Sequence, residues 1–423
     1  MDIIVNPPRG EWEKICSRSL ADDPGVKETV EGIIERVRRG GDSALSDIEF
    51  EITGIRRSSF KVSDEEIAEA CAAVPEDLKK AIATAAQNIQ TFHEAQYPKE
   101  VRTEKDGVVC IQRPVPIKSV GLYIPGGTAP LFSTVLMLAL PAKIAQCPRR
   151  VLCTPCSAQG KIAPAVLYAA HFCGITEIYK VGGAQAVAAM ALGTESIAKV
   201  DKIFGPGNRY VTTAKQMLGG RSVAIDMPAG PSEVCVVADD GARPPFVAAD
   251  LLSQAEHGRD SQVMLVCRSE TFAREVQEEV AAQAQKLGRQ EMIDGALSHS
   301  HAVILQSEEE MVEFAEIYAP EHLIIQTREP WRIVEKITAA GSVFVGEYTP
   351  ESAGDYASGT NHTLPTSSWA RSMSGVNIDS FIRKMTIQEI TREGLSSLGE
   401  TIVTMAQAEG LQAHAAAVTT RLK

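Results

Sequence analysis

The residues best able to do chemistry in this 423-residue chain cluster in a few places. Residues 346–366, GEYTPESAGDYASGTNHTLPT, carry Asp355 and His362, a hard oxygen ligand and an imidazole. Small neighbours (Ala353, Gly354, Ser358, Gly359) let backbone approach an ion or substrate closely. The Gly, Ser, Thr and Pro content predicts loop rather than helix or strand interior, and such a loop can equally be solvated surface. Gln254 and His257 are three apart in a predicted helix and point to one side. That is half of a metal site, or an ordinary helix histidine. Asp355 and His414, the latter in the C-terminal tail, could complete a nitrogen and oxygen set that suits Zn2+ without cysteine, although spacing alone does not assemble it. Glu321-His322 follows Ala319-Pro320 and opens a predicted strand. An imidazole there can accept a proton from an alcohol and a carboxylate can activate water, but a surface turn reads as well.

Cys153-Thr154-Pro155-Cys156 has the spacing of a redox pair, yet its strand-end position favours buried thiols. Cys153 would be the rival nucleophile in an aldehyde step. His93, His171, His299 and His301 read as structural or surface residues.

A chain this long exceeds one hydrophobic core, so at least two domains are expected to position these groups. Residues 11–96 read as helices. Val26, Val30, Ile33, Ile34 and Val37 form one apolar face, and Ser63 with Glu66 makes a capping box. Residues 77–95 hold Leu78, Ile82, Ala85, Ile89 and Phe92 on one side. Residues 101–114 turn strand-like, with a hairpin turn at Lys105-Asp106-Gly107. From Ser119 onward, strand, Gly-rich turn and helix alternate, and a second alternating region follows from Pro244 to Gly346. Both suit crossover units on parallel sheets. A long apolar helix is expected over 129–146, interrupted at Pro141. After about Ile378 the chain reads as mostly helical, 386–406 and then 409–422. A tail with few aromatic anchors is expected to pack on another part of the protein or on a second copy. The expected fold is therefore α/β, two Rossmann-like but incomplete parallel-sheet domains with a helical N-terminal region and an extended helical C-terminal tail.

Three glycine turns, Pro125-Gly126-Gly127, Gly182-Gly183-Ala184-Gln185 and Gly205-Pro206-Gly207-Asn208, lie at strand carboxyl ends. In a parallel sheet those ends share one edge, where helix N-termini suit a pyrophosphate. None is a true G-x-G-x-x-G, and plain turn glycines explain them as well.

With 44% hydrophobic and 23% charged residues the composition is that of an ordinary globular protein. A net charge of -12 and a pI near 5.3 argue against nucleic acid as the main partner, though not against an anionic cofactor. There is no unbroken apolar run of membrane-spanning length and no basic leader, so no membrane partner and a cytoplasmic location are expected. Nine scattered cysteines fit reduced thiols.

In order and spacing, VGLYIPGGTAPLFSTVLM, VGGAQAVAAMALGT, FGPGNRYV, DMPAGPSEV, DLLSQAEHG, APEHL and SAGDYASGTNHTLPT resemble the histidinol dehydrogenase family over nearly the whole chain. The resemblance implies a zinc- and NAD-linked enzyme, an intertwined homodimer that oxidises L-histidinol through L-histidinaldehyde to L-histidine with two NAD+. By motif, it implies zinc ligands Gln254, His257, Asp355 and His414, the last from the other subunit. The catalytic pair is Glu321 and His322, and Tyr123, Gln185 and Asn208 contact NAD+. Substrate contacts are Ser232, His362 and Glu409 together with the zinc ligands and His322, Glu409 again coming from the partner. It also implies an N-terminal arm over 1–19, a domain from 20–122 and 239–377, an NAD-facing domain over 123–238, and a dimerisation tail over 378–423. A relative acting on another primary alcohol, such as a sulfonate diol, and a non-catalytic metal- or solute-binding protein are the alternatives. His362 and Glu409 speak against the first, and the Glu321-His322 pair against the second.

Overall fold

The computed structural model describes residues 1–18, 24–57, 59–126, 130–157, 159–228 and 230–423. Gly127 of the first glycine turn, Ala129 at the expected helix start, and the expected arm boundary at 19–20 lie outside them. In chain order the strands are β1 (Asp2–Val5), β2 (Val101–Lys105), β3 (Val108–Pro116), β4 (Ser119–Tyr123), β5 (Arg149–Cys153), β6 (Glu177–Tyr179) and β7 (Lys202–Phe204). They continue with β8 (Ala224–Ile225), β9 (Glu233–Ala238), β10 (Gln262–Cys267), β11 (His301–Ile304), β12 (His322–Gln326), β13 (Ser342–Val345) and β14 (Ile382–Ile390).

Two parallel sheets result, as the alternation required. One has five strands in the order β6-β5-β4-β7-β8, the other six in the order β1-β11-β10-β9-β12-β13. Every residue of β9 and β10 is buried, because helices cover both faces. Val234, Val236, Val263 and Leu265 face the helices Pro244–Ala255 and Glu270–Ala284. The alternate residues Cys235, Val237, Met264 and Val266 face Trp12, Phe314 and Tyr318.

The joints between the two units differ from the expected boundaries. Helices Pro24–Thr53, Asp64–Ala73 and Glu76–Glu94 were grouped with residues 239–377, but their apolar faces lie on the five-stranded sheet. Val26, Val30 and Ile34 cluster with Val151 and Tyr179, and Ile82 and Ile89 with Val120 and Leu122. Conversely β9, expected in the NAD-facing unit, lies inside the six-stranded sheet. Periodicity reveals that a helix has an apolar face but not which sheet receives it.

The hairpin at Lys105-Asp106-Gly107 forms as expected, with Asp106 and Gly107 both at positive φ (49° and 74°) and β2 antiparallel to β3. The tail is less helical than expected. β14 pairs with β3 from Ile382↔Pro116 to Ile390↔Val108 before the helices Arg392–Ala408 and Gln412–Leu422 begin. Most of β14 is exposed, so it lacks the alternating burial that marks a strand in sequence.

Helix Phe132–Ile144 runs through Pro141 instead of breaking there. Proline has no N–H for the carbonyl four residues back, that of Met137. The buried Asn361 side chain supplies the missing donor, its Nδ2 lying 2.6 Å from Met137 O. This bond ties the 357–366 loop to the helix. Asn361→Ala is therefore expected to cost about 1–3 kcal/mol by denaturant unfolding, since it leaves a buried carbonyl unsatisfied. Adding Pro141→Ala, which restores a backbone donor, should recover part of that loss.

Candidate functional site

The chain reaches the site through backbone that few residue types adopt. Ala319 is left-handed (φ 46°), so helix Glu308–Tyr318 turns sharply into Pro320-Glu321 and β12. Gly341 makes room for this, because a Cβ there would overlap the Glu321 carbonyl. β12 lies beside β9, with His322 opposite Val234, which brings Glu233 next to Glu321. The Glu233 amide donates to Glu321 Oε2 at 3.0 Å, and the Glu233 carbonyl lies 3.2 Å from His322 Nδ1. A carbonyl only accepts, so Nδ1 carries the proton and Nε2 is left as the basic nitrogen. Nε2 is buried without a hydrogen-bond partner among the described residues, and Asp355 Oδ1 is 3.7 Å away, beyond hydrogen-bond length.

Residues 346–366 are neither all loop nor solvated. Pro350 starts a short helix, Glu351–Tyr356, that places Glu351 and Asp355 on one face. Asn361, Thr363, Leu364 and Thr366 are buried. Helix Pro244–Ala255 brings in the buried Gln254, and His257 follows just past its end, its N–H donating to Gln254 O. With its amide nitrogen toward Glu351, the Gln254 oxygen accepts from Glu233 N–H at 2.8 Å. Donor atoms of His257, Glu351 and Asp355 lie within 4.8 Å of one another. His362 Nδ1 donates to Asp355 O at 2.9 Å, and its Nε2 is 3.2 Å from Thr134 Oγ1.

Crowding of acids sets the electrostatics. Burial pushes the Glu321 and Glu351 carboxyls up to about 8, with His322 countering in each case, and burial takes Asp250 up to about 7. Burial opposes charge on His322, but Glu351, Glu321 and Asp355 outweigh it and lift the imidazole to about 10. Asp355 is desolvated too, yet its contact with His322 and the nearby His362 hold it below the usual range. His257 presents an exposed surface but has protein on most sides of its ring, and that desolvation lowers it. At neutral pH the cluster thus holds more protons than the free groups would. A buried set of one exposed-edge imidazole, carboxylates and an unpartnered histidine nitrogen fits a divalent cation, which could replace those protons.

Beyond the first strand of the five-stranded sheet lies a cavity of about 1290 Å³. Tyr123, Gly126, Gly182, Gln185 and Asn208 all line it, so residues from the three glycine turns do share one edge. Tyr123 Oη accepts from Gly183 N–H, Gln185 donates to the buried Glu49 at 2.8 Å, and Asn208 caps helix Arg209–Leu218. Pro130 lines this cavity while Thr134, four residues on, touches His362. One helix end therefore borders both places.

The structure brings together Gln254, His257, Glu321, His322, Asp355 and His362, with Ser232 directly preceding Glu233. It does not bring Glu409 or His414, which are exposed on the C-terminal helical hairpin. Cys153 is fully buried and its thiol is pushed far up by desolvation, so it is no nucleophile in this state. His93 is structural, buried with Nδ1 donating to Ile89 O. Sequence reasoning missed Glu233, Glu351 and Arg18. Glu351 left a signal as the partner four residues before Asp355, and Glu233 as a member of the DMPAGPSEV motif.

The family model for histidinol dehydrogenase matches residues 16–422. A histidinol dehydrogenase of Bacteroides fragilis is 54% identical over 425 residues, covering 100% of this chain and 99% of its own. That of Escherichia coli is 51% identical, covering 96% and 93%. The crystal structure of histidinol dehydrogenase from Elizabethkingia anophelis superposes with a TM-score of 0.97 at 48% identity, covering 100% and 98%.

Asp250, Glu321 and Glu351 have folded pKa values above their unfolded ones, so the folded state binds more protons and stability falls as pH rises. The raised His322 acts in the same direction, its contribution being lost as pH climbs toward about 10. Thermal unfolding of metal-free protein should therefore show a melting temperature that drops between about pH 6.5 and about pH 8, above the range in which the lowered His257 and His362 act in the opposite sense. Added Zn2+ should raise the melting temperature most at the upper end, where the protons it replaces are leaving.

Proposed function

Because the chain belongs to the histidinol dehydrogenase family and is thus an oxidoreductase, we propose that it oxidises L-histidinol through L-histidinaldehyde to L-histidine with two NAD+ per substrate. The observation carrying this reading is the convergence of Glu321 and His322 with Gln254, His257, Glu351 and Asp355 at the shared edge of β9 and β12. Gln254, His257 and Asp355 would hold Zn2+, with His414 of a second copy completing the set. When bound, Zn2+ supplies a Lewis acid that orients the imidazole and amine of the substrate and offsets the local carboxylate charge.

With that charge offset, His322 can be neutral, and Nε2 takes the hydroxyl proton while hydride leaves the carbinol carbon for NAD+. Glu321 then activates water onto the aldehyde, and the resulting hydrate gives a second hydride and the carboxylate. Ser232 and His362, with Glu409 of the second copy, would fix the substrate. Tyr123, Gln185 and Asn208 would receive the cofactor in the large cavity. Thr134, four residues after the cavity-lining Pro130, contacts His362, and hydride transfer would require the bound cofactor to reach from the cavity toward that side.

A homodimer accounts for two features at once. Leu398, Met405 and Leu411 on the tail and Met385 and Ile390 on β14 are exposed apolar side chains that a second copy would cover. Glu409 and His414 would then enter the partner's site from the same surface. No helix among the described residues is long and apolar enough to cross a membrane, and all nine cysteines are free, in keeping with a cytoplasmic enzyme.

Zinc-loaded protein given L-histidinol and excess NAD+ should produce about two NADH per substrate consumed, with His322→Gln lowering kcat by about 10²–10⁴-fold. Glu321→Gln should spare the first hydride transfer and block oxidation of supplied histidinaldehyde. Absence of NADH formation from histidinol in protein that binds both Zn2+ and NAD+ would point to another primary alcohol as substrate.

A further inference from the structure

Arg18 lies far from the catalytic pair in sequence and belongs to the N-terminal segment, yet its side chain is about nine-tenths buried, against Glu233. Nε donates to Glu233 Oε2 at 2.6 Å, one terminal nitrogen donates to Tyr318 O at 2.6 Å, and the other to Ser368 Oγ at 2.7 Å and Cys16 O at 3.2 Å. The guanidinium also stacks 3.9 Å from the Tyr318 ring centroid. Each acceptor leads into the site by a short covalent path. Tyr318 O is the carbonyl just before left-handed Ala319, three residues before Glu321. Glu233 is the residue whose backbone amide holds Glu321 and whose carbonyl holds His322 Nδ1. Ser368 follows Ser367, and both are left-handed (φ 62° and 54°).

Two successive left-handed serines and a left-handed alanine are unfavourable backbone that persists only where surrounding contacts over-determine it. Those contacts are visible. Ser367 N–H donates to Glu233 Oε1 at 2.8 Å, and Ser368 Oγ donates to Tyr318 O at 3.1 Å. Glu233 and Arg18 therefore sit at the crossing of the three segments that build the site: the turn into β12, the start of β9, and the end of the 346–366 stretch.

We propose that Arg18 is a positioning residue for the Glu321–His322 pair, clasping Glu233, Tyr318 and Ser368 so that the Glu233 backbone holds His322 with Nδ1 protonated and Nε2 free. A planar fork with several donors can span three acceptors at once, whereas a lysine ammonium on a flexible stem supplies the charge without the geometry. Arg18 touches neither reacting atoms nor metal ligands, and it acts entirely through Glu233 and the two flanking turns. The clasp rests on the roles given to Glu321 and His322 under the proposed function.

The test uses full-length, zinc-loaded Arg18→Lys, Arg18→Ala and His322→Gln proteins side by side. Arg18→Lys keeps a cation beside Glu233, so it is expected to fold, to retain its zinc content, and to keep KM for histidinol and NAD+ within about twofold. Its kcat should fall by about tenfold to a hundredfold, the scale of a small misplacement of catalytic groups. Arg18→Ala should fall further, and added methylguanidinium should recover part of its kcat. If Arg18→Ala does not fold, the lysine variant alone decides the matter. Unchanged kcat in folded Arg18→Lys would overturn the clasp, as would a loss of kcat that only tracks lost zinc and a rising KM. An active His322→Gln would instead sink the reading of the catalytic pair, and the two failures are thereby told apart.

Discussion

The site depends on confining acids away from water. Glu233, Glu321 and Glu351 are buried around His322, with Asp355 half-buried beside them and the buried Asp250 on the side of Glu351. Carboxylates in such a place repel one another and lose hydration, so each needs a proton, a hydrogen-bond donor or a cation. Arg18 and Ser367 answer for Glu233, Gln326 for Asp250, and the Glu233 amide for Glu321. The Gln254 amide answers for Glu351, which faces Asp355 and His257. In this arrangement carboxyls outnumber cations, and His322 is the imidazole that the surrounding acids hold in its charged form.

Backbone geometry serves that cluster. The parallel pairing of β9 with β12 sets Glu233 beside Glu321, and Ala319 at positive φ aims Glu321 and His322 into the space between sheet and loop. Helix Glu351–Tyr356 and helix Pro244–Ala255 close it from another side. The hydrogen bond from Asn361 to the carbonyl left over by Pro141 joins this unit to the helix whose start borders the large cavity. A proline that costs a helix one bond is thus answered by a side chain of the 357–366 loop, one of several contacts that loop makes.

Much of this was legible in the chain. Alternation of apolar strands, glycine turns and helices specified two parallel sheets, because burial on both faces demands continuous apolar runs such as EVCVVA and QVMLVC. The glycine turns foretold a shared edge and the Asp-Gly dipeptide a hairpin. β14 was illegible because an exposed ribbon strand needs no alternating pattern, and the sheet that receives the helices of residues 24–94 was illegible because an apolar face does not name its acceptor.

For the site, the sequence by itself determined residue types and local offsets: Gln254 with His257 near a helix end, Glu321 beside His322, and a small-residue stretch holding Asp355 and His362. Motif resemblance extended these to a family and a reaction. Only the tertiary structure decided that Glu233, Glu351 and Arg18 belong with them, and that the tail bearing Glu409 and His414 stands apart from this chain's own site. The physical reason is that hydrogen bonds and charge interactions act over a few ångströms of space, not along the chain. Arg18 and Glu233 are 215 residues apart and 2.6 Å in contact. No pattern of spacing records such a pair until the sheets have brought it together.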